Sequence, residues 1–267
     1  MKVAIIGAGN MGGAIARGMA KGSVIAGADI MVSDPSQQKL DVLQAEHPEV
    51  KVTTNNRQAI RDARYVILAV KPWLVEEVLG DVMLRKGQTL VSVAAGIDCD
   101  TLRSYLPTVD EMGYPTEVAE LTIFRIIPNT AISLQQSMTL IASQRAAAAD
   151  EAFILKLFNE MGVAMFIPEE KMTAATALTS CGIAYVLKYI QAAMQAGIEM
   201  GIYPKDAMQM VAQSVKGAAE LILPGNTHPS VEIDKVCTPG GITIKGLNEL
   251  EHEGFTSAII KAMKAAK

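Results

Sequence analysis

The chain has 267 residues, enough for one large or two modest domains with a substantial buried core. Half of the residues are hydrophobic and only 19% are charged, which excludes a disordered chain. A formal net charge of −4, with no motif joining basic residues to stacking aromatics, argues against nucleic acid as a partner.

Short β-branched runs alternate with helical patterns through the first part of the chain, the pattern of a parallel sheet with crossover helices. Residues 3–6 read as a first strand and 11–20 as a helix. Residues 30–33 form the next strand, and a helix over 37–45 starts after Pro35. Further strands are expected at 50–53, 65–70, 89–93, 122–127 and 138–142, with a helix over 148–161. The stretch 107–120 is polar and acidic, carries Pro107, Gly113 and Pro115, and reads as an exposed loop. Beyond Pro168 strand patterns stop, and long Ala/Met/Leu segments predict helices at 171–200, 205–223, 241–252 and 256–266. The expected architecture is therefore an N-terminal Rossmann-type α/β domain over residues 1–167 and an all-helical domain over 168–267. Apolar helices such as those around Met194 and Met208 are expected to bury surface against a second copy, giving a homodimer or a higher homo-oligomer.

The N-terminal apolar run superficially resembles a signal peptide, but glycines between Gly7 and Gly13 interrupt it too early. With no run of about 18 apolar residues, no membrane span is expected. Cys99, Cys181 and Cys237 are too scattered for a disulfide framework or zinc site, and His47, His228 and His252 form no ligand cluster. No metal is expected, and the cysteine usage fits a cytoplasmic protein.

Gly7-Ala8-Gly9-Asn10-Met11-Gly12 is a G-x-G-x-x-G turn directly after a strand and opening a helix. Gly7 permits the tight turn, Gly9 lets backbone approach a pyrophosphate, and Gly12 lets helix and strand pack closely. The pattern predicts binding of NADH or NADPH. Asp34, at the end of the second strand, stands where an acidic residue bonds the adenosine ribose hydroxyls, which favours NADH. Ser33, Ser36 and Lys39 lie nearby and suit a 2′-phosphate instead, while an Asp-Pro turn is the bland account of Asp34.

Asn56 is placed to cap its helix, to touch the ribose, or both. Ala69-Val70-Lys71-Pro72 ends the fourth strand at the carboxyl edge, where Lys71 either meets cofactor or is a plain surface lysine. Ala94-Ala95-Gly96 ends the fifth strand with small residues, leaving room for a nicotinamide ring. Arg125 to Thr130 ends the sixth strand, with Asn129 either at the site mouth or in a simple turn. A second glycine loop, Thr238-Pro239-Gly240-Gly241-Ile242-Thr243, runs into a helix where no strand sets up a nucleotide site. Its exposed N–H groups suit a substrate carboxylate, with Thr238 and Thr243 adding hydroxyls.

At these blocks the sequence resembles the Δ1-pyrroline-5-carboxylate reductases. The resemblance rests on GAGNMG from Gly7, AVKP at Lys71, AAG at Gly96, R-x-x-P-N-T from Arg125 and HP-x(5)-K-V-C-T-P-G-G-I-T-I from His228, in the family's order and spacing. It implies hydride transfer from NAD(P)H to the C=N carbon of a cyclic imino acid, giving L-proline, the last step of proline biosynthesis. The glycine loop and Asn56 would hold the cofactor. Thr238, Gly240, Gly241 and Thr243 would hold the substrate, with the Thr243 hydroxyl as proton donor or relay. A cyclic imine is basic enough to bind protonated, so orientation is needed more than a strong acid.

The chain departs from the family where S-G-S-G-P-A-Y is usual and Thr179-Ser180-Cys181-Gly182-Ile183-Ala184-Tyr185 stands here. The alternative reading is a β-hydroxyacid dehydrogenase-like enzyme using Lys188, but its G-x-x-G-x-G-x-x-x-K arrangement is missing.

Overall fold

A computed structural model describes residues 1–109, 112–114, 116–225 and 227–266. It divides into two compact units, Met1–Ser180 and Cys181–Lys267. The first is built on one eight-stranded sheet of order β3-β2-β1-β4-β5-β6-β7-β8. The strands are β1 Val3–Ile6, β2 Ile30–Ser33, β3 Lys51–Thr53, β4 Tyr65–Leu68, β5 Thr89–Ser92, β6 Thr122–Ile127, β7 Ser137–Gln144 and β8 Gly162–Phe166.

β1, β4 and β5 are buried at every position, as strands covered on both faces must be. Alternate residues feed the two layers. Val3 and Ile5 join a core with Ile15, Met19, Leu40 and Phe158, whereas Ala4 and Ile6 join one with Ile60, Leu79 and Leu102. The first layer holds α1 Asn10–Lys21, α2 Gln37–Glu46 and α6 Ala148–Asn159, and the second holds α3 Asn56–Ile60, α4 Val75–Asp81 and α5 Cys99–Ser104. β1 through β6 are parallel, and the order reverses about β1, between β2 and β4. The carboxyl ends at that switch point open the crevice where α/β sheets bind ligands.

The connection 128–136 is too short for a parallel crossover, so β7 returns antiparallel to β6, and α6 then carries the chain to β8 parallel to β7. β8 was not expected from sequence. Its GVAMF pattern follows a helical run directly, and it lies at the sheet's edge with only Ala164 buried. Gly162 has φ +135°, which explains the abrupt change from helix to strand.

In the loop 107–120 the Thr116 N–H donates to the Thr108 carbonyl at 2.9 Å. Asp110, Glu111 and Pro115 lie outside the described residues. At the amino edge of the sheet, Tyr65 Oη donates to Asp150 Oδ1 at 2.7 Å and Arg64 Nη2 to the same oxygen at 2.9 Å. Burial, then Asp150, push the Tyr65 hydroxyl up to about 12.

The helix expected over 171–200 is divided. α7 Met172–Thr176 gives way to a π-turn over Ala177–Cys181, after which α8 Gly182–Glu199 begins. Met172 is fully buried with Ile127 and Leu140, so α7 packs on the sheet and belongs to the first compact unit, which runs to Ser180.

The second unit continues with α9 Pro204–Ile222, α10 Pro229–Val236, α11 Ile242–His252 and α12 Phe255–Ala265. α10 was not foreseen. It begins at a Pro on a His228 cap, whose Nδ1 accepts the Ser230 N–H at 3.2 Å. α8 and α9 form a hairpin in which a Cβ added to Gly197 would come 3.2 Å from that of Ala207. Among its described residues only Gly182, Gly197 and Ala207 are buried in the single chain.

Candidate active site

Gly7 leaves β1 with φ +102°, and its N–H donates to the Ser33 carbonyl at 2.7 Å. A Cβ there would lie 2.6 Å from the Ala69 carbonyl oxygen, so the glycine is what lets β1, β2 and β4 converge. At Gly12 a Cβ would run into the Gly7 carbonyl and come 2.9 Å from the Ala69 methyl. Gly9 is the opposite case, because a Cβ would meet nothing within 4 Å. Gly9 is the N-cap of α1, makes no side-chain cap bond and is followed by no acidic residue in the first turn. The turn thus presents an open cradle of N–H groups at the positive end of a 12-residue helix, a fit for a pyrophosphate.

Asp34 is 5% exposed, and its oxygens face inward. Oδ2 accepts the Ala8 N–H at 2.8 Å, Oδ1 accepts the Ser36 N–H at 2.9 Å, and Lys39 Nζ is 3.3 Å from both. The Asp-Pro turn is therefore present, and the same carboxylate also holds the glycine loop. Ser33 Oγ donates to Asn56 Oδ1 at 2.8 Å. Asn55, not Asn56, caps α3, accepting the Gln58 N–H at 3.0 Å. Sequence could not separate two adjacent asparagines, and only the backbone geometry assigns the cap. The Asn56 carboxamide nitrogen has no partner among the described residues.

Ala69 and Val70 are half-buried, and Lys71 and Pro72 are exposed at the start of a single turn. Lys71 Nζ lies 5.9 Å from the Trp73 ring centroid, and that ring is 75% exposed. Ala95 and Gly96 are exposed beyond β5, with Gly96 at φ +80°. The structure thus brings Gly7–Gly12, Ser33, Asp34, Asn56, Ala69–Pro72, Ala95 and Gly96 to one sheet edge.

Asn129 ends β6 in a turn: its Oδ1 accepts the Ala131 N–H and its Nδ2 donates to the Thr179 carbonyl, so both ends of the carboxamide are bonded within the fold. The residues near Arg125 that sequence reasoning missed are Glu169 and Cys99, because their proximity depends on tertiary packing. Burial, then Glu169, push the Cys99 thiol up to about 12.

The second glycine loop lies in the helical unit. The Gly241 N–H donates to the Thr238 carbonyl at 2.9 Å, and Gly240 turns with φ +73°. A Cβ on Gly241 would come 2.5 Å from Thr238 Oγ1, which would have to turn away, and 3.0 Å from the Thr238 carbonyl oxygen. Gly241 is also the uncapped N-cap of α11, with no acidic residue in its first turn. Thr243 is exposed in that turn, beside Ile242 at 87% exposure. Lys188 is an exposed helical residue whose Nζ donates to Gln191 at 2.9 Å. Among the described residues no three or more His, Cys, Asp or Glu could hold a metal ion, and no helix is long and apolar enough to cross a membrane.

A doubly wound sheet with a glycine turn at its switch point, followed by a helical unit, defines a Rossmann-type dinucleotide-binding architecture. Residues 2–96 match the family model described as NADP oxidoreductase, coenzyme F420-dependent, and residues 169–267 match that described as pyrroline-5-carboxylate reductase dimerisation. The chain is 36% identical to pyrroline-5-carboxylate reductase 1 of Dictyostelium discoideum over 98% of its own length, although it spans only 48% of that longer protein. It is 35% identical to pyrroline-5-carboxylate reductase 2 of the same organism, over 98% of this chain and 89% of the relative. A crystal structure of Plasmodium falciparum pyrroline carboxylate reductase with NADP bound superposes with a TM-score of 0.86 at 25% identity, covering 100% of this chain and 95% of the other. The chain belongs to the pyrroline-5-carboxylate reductase family.

Proposed function

We propose that this protein reduces 1-pyrroline-5-carboxylate to L-proline with NADPH or NADH, and that residues 168–267 form its substrate-binding and dimerisation domain. The observation that carries the reading is a pair of uncapped glycine turns, at Gly9 and Gly241, in a chain whose whole length matches reductases of this imine. The reduced nicotinamide supplies the hydride when bound.

The chain's own groups do the rest. The N–H groups of the α1 start hold the pyrophosphate, Asp34 keeps Ala8 in register, and Ser33 orients Asn56 towards the adenosine ribose. Ala69 to Pro72, with Ala95 and Gly96, flank the cofactor. In the helical unit, the α11 start and the Thr238 hydroxyl hold the substrate carboxylate, with Gly240 and Gly241 giving the backbone room to approach. The Thr243 hydroxyl bonds the ring nitrogen, which is protonated in the bound iminium form. The imine carbon gains the hydride, the nitrogen keeps its proton, and the product is a secondary amine.

The protein works as a homo-oligomer, a reading supported by the dimerisation match and by the scarcity of buried residues in the helical unit. Its three free cysteines fit a cytoplasmic setting. The test follows NAD(P)H oxidation with pyrroline-5-carboxylate, then NAD(P)+ reduction with 3-hydroxy acids. Turnover of the hydroxy acids alone would sink the reading.

A further inference from the structure

The Arg125–Thr130 stretch has no place in either glycine turn, yet two of its polar side chains, Arg125 and Asn129, are buried and each contacts the segment 169–180. Arg125, on β6, is 6% exposed. Its Nη1 lies 3.5 Å from Glu169 Oε1, and its Nε has no hydrogen-bond partner among the described residues. The same Glu169 oxygen accepts the Cys99 N–H at 2.9 Å, at the first residue of α5.

Asn129 is also 6% exposed. Its backbone N–H donates to Ser137 Oγ at 3.1 Å, its Oδ1 accepts the Ala131 N–H at 3.1 Å, and its Nδ2 donates to the Thr179 carbonyl at 3.2 Å. Ser180 Oγ donates to the Pro128 carbonyl at 3.3 Å. Buried guanidinium and carboxamide groups are costly unless such contacts are kept, so the end of β6 is committed to residues 169–180.

Thr179 and Ser180 belong to the π-turn, inside which the division between the compact units falls. A π-turn forgoes the regular helical ladder and survives where other bonds fix it. Here Asn129 takes the Thr179 carbonyl while Thr179 Oγ1 donates to the Ala175 carbonyl at 3.1 Å.

We propose that Arg125 and Asn129, with Glu169 as anchor, are positioning residues that fix the course of residues 169–181 where the chain enters the helical unit. They thereby govern the hydride-transfer rate and not cofactor affinity. The proposal rests on the reductase reading. Cofactor affinity is spared because the first glycine turn is held separately, by the Ala8–Asp34 and Gly7–Ser33 bonds.

The test uses the full chain. Asn129→Asp keeps the acceptor for Ala131 but loses the donor to Thr179, and Arg125→Met removes the cation that Arg125→Lys retains. Asn129→Asp and Arg125→Met should lower kcat with pyrroline-5-carboxylate by roughly 10- to 100-fold. Amide hydrogen exchange should rise in residues 172–185, the NADPH Kd should stay within about twofold, and Arg125→Lys should recover most of the rate. Unchanged exchange at 172–185 overturns the proposal whatever the activity. So does exchange raised equally in β1 and β4, or NADPH binding lost in step with kcat. A wild-type protein that binds NADPH and never reduces the imine would sink the reductase reading, while localised exchange in the variants would still support the fixing of the π-turn.

Discussion

Gly9→Ala separates folding from cofactor binding more cleanly than any other substitution in the first glycine turn. The backbone there, at φ −69° and ψ −169°, is open to any residue, and the new methyl meets no atom within 4 Å. Alanine is a poorer N-cap by up to about 1 kcal/mol, but it removes about 0.4–1 kcal/mol of unfolded-chain freedom. The two nearly cancel, leaving a shift in Tm of roughly 2 °C or less. The methyl occupies the cradle, however, and would cost one or two charge-assisted hydrogen bonds, about 3 kcal/mol together. That corresponds to an NADPH Kd weaker by roughly 100-fold. Gly12→Ala, which drives a Cβ against the Gly7 carbonyl, should instead lower stability by about 1–3 kcal/mol or more. Thermal unfolding of the apo protein beside a fluorescence titration with NADPH reads both quantities. A folded Gly9→Ala protein that binds NADPH as tightly as wild type would refute the placement of the pyrophosphate.

Thr243→Ala should lower kcat by roughly 100-fold or more with little change in Tm, and Thr243→Ser should restore most of it. Asp34→Ser, which frees the Ala8 N–H, should weaken NADPH and NADH roughly alike, and a kcat/KM ratio shifted about tenfold towards NADPH would show instead that the carboxylate faces the ribose. Because the folded-state Tyr65 value is raised to about 12, the associated stability is complete below pH 10 and lost as pH climbs towards 12. A Tyr65→Phe protein should lack that part of the alkaline loss, and identical pH profiles would contradict it. With its thiol pushed up to about 12 and buried, Cys99 should resist maleimide at pH 8 until the chain unfolds, while labelling in the native state would show the α5 start to be open.

Most of the α/β unit was legible because its strands are short apolar runs punctuated by glycine and proline. Gly7, Gly9 and Gly12 announced their turn by spacing alone. What escaped were features decided by packing. β8 is masked by the helical run before it, α10 depends on an imidazole cap, and the π-turn at Thr179 is held by Asn129 from another strand. Asn129 itself was readable as a strand-ending residue but not as one whose carboxamide reaches the Thr179 carbonyl. At Asp34 the sequence offered a ribose ligand or a turn, and no local pattern could reveal the bond to Ala8, which requires β1 and β2 to lie side by side.

The helical unit, in which Leu187, Met210, Leu221 and Ile260 are each more than half exposed in the single chain, has a thermodynamic consequence. In the proposed homo-oligomer such side chains find cover by association, so folding and assembly become one equilibrium whose position depends on how much protein is in the tube. Dilution should melt this unit before the sheet loosens. The reductase would then lose turnover at low concentration while still holding its nucleotide.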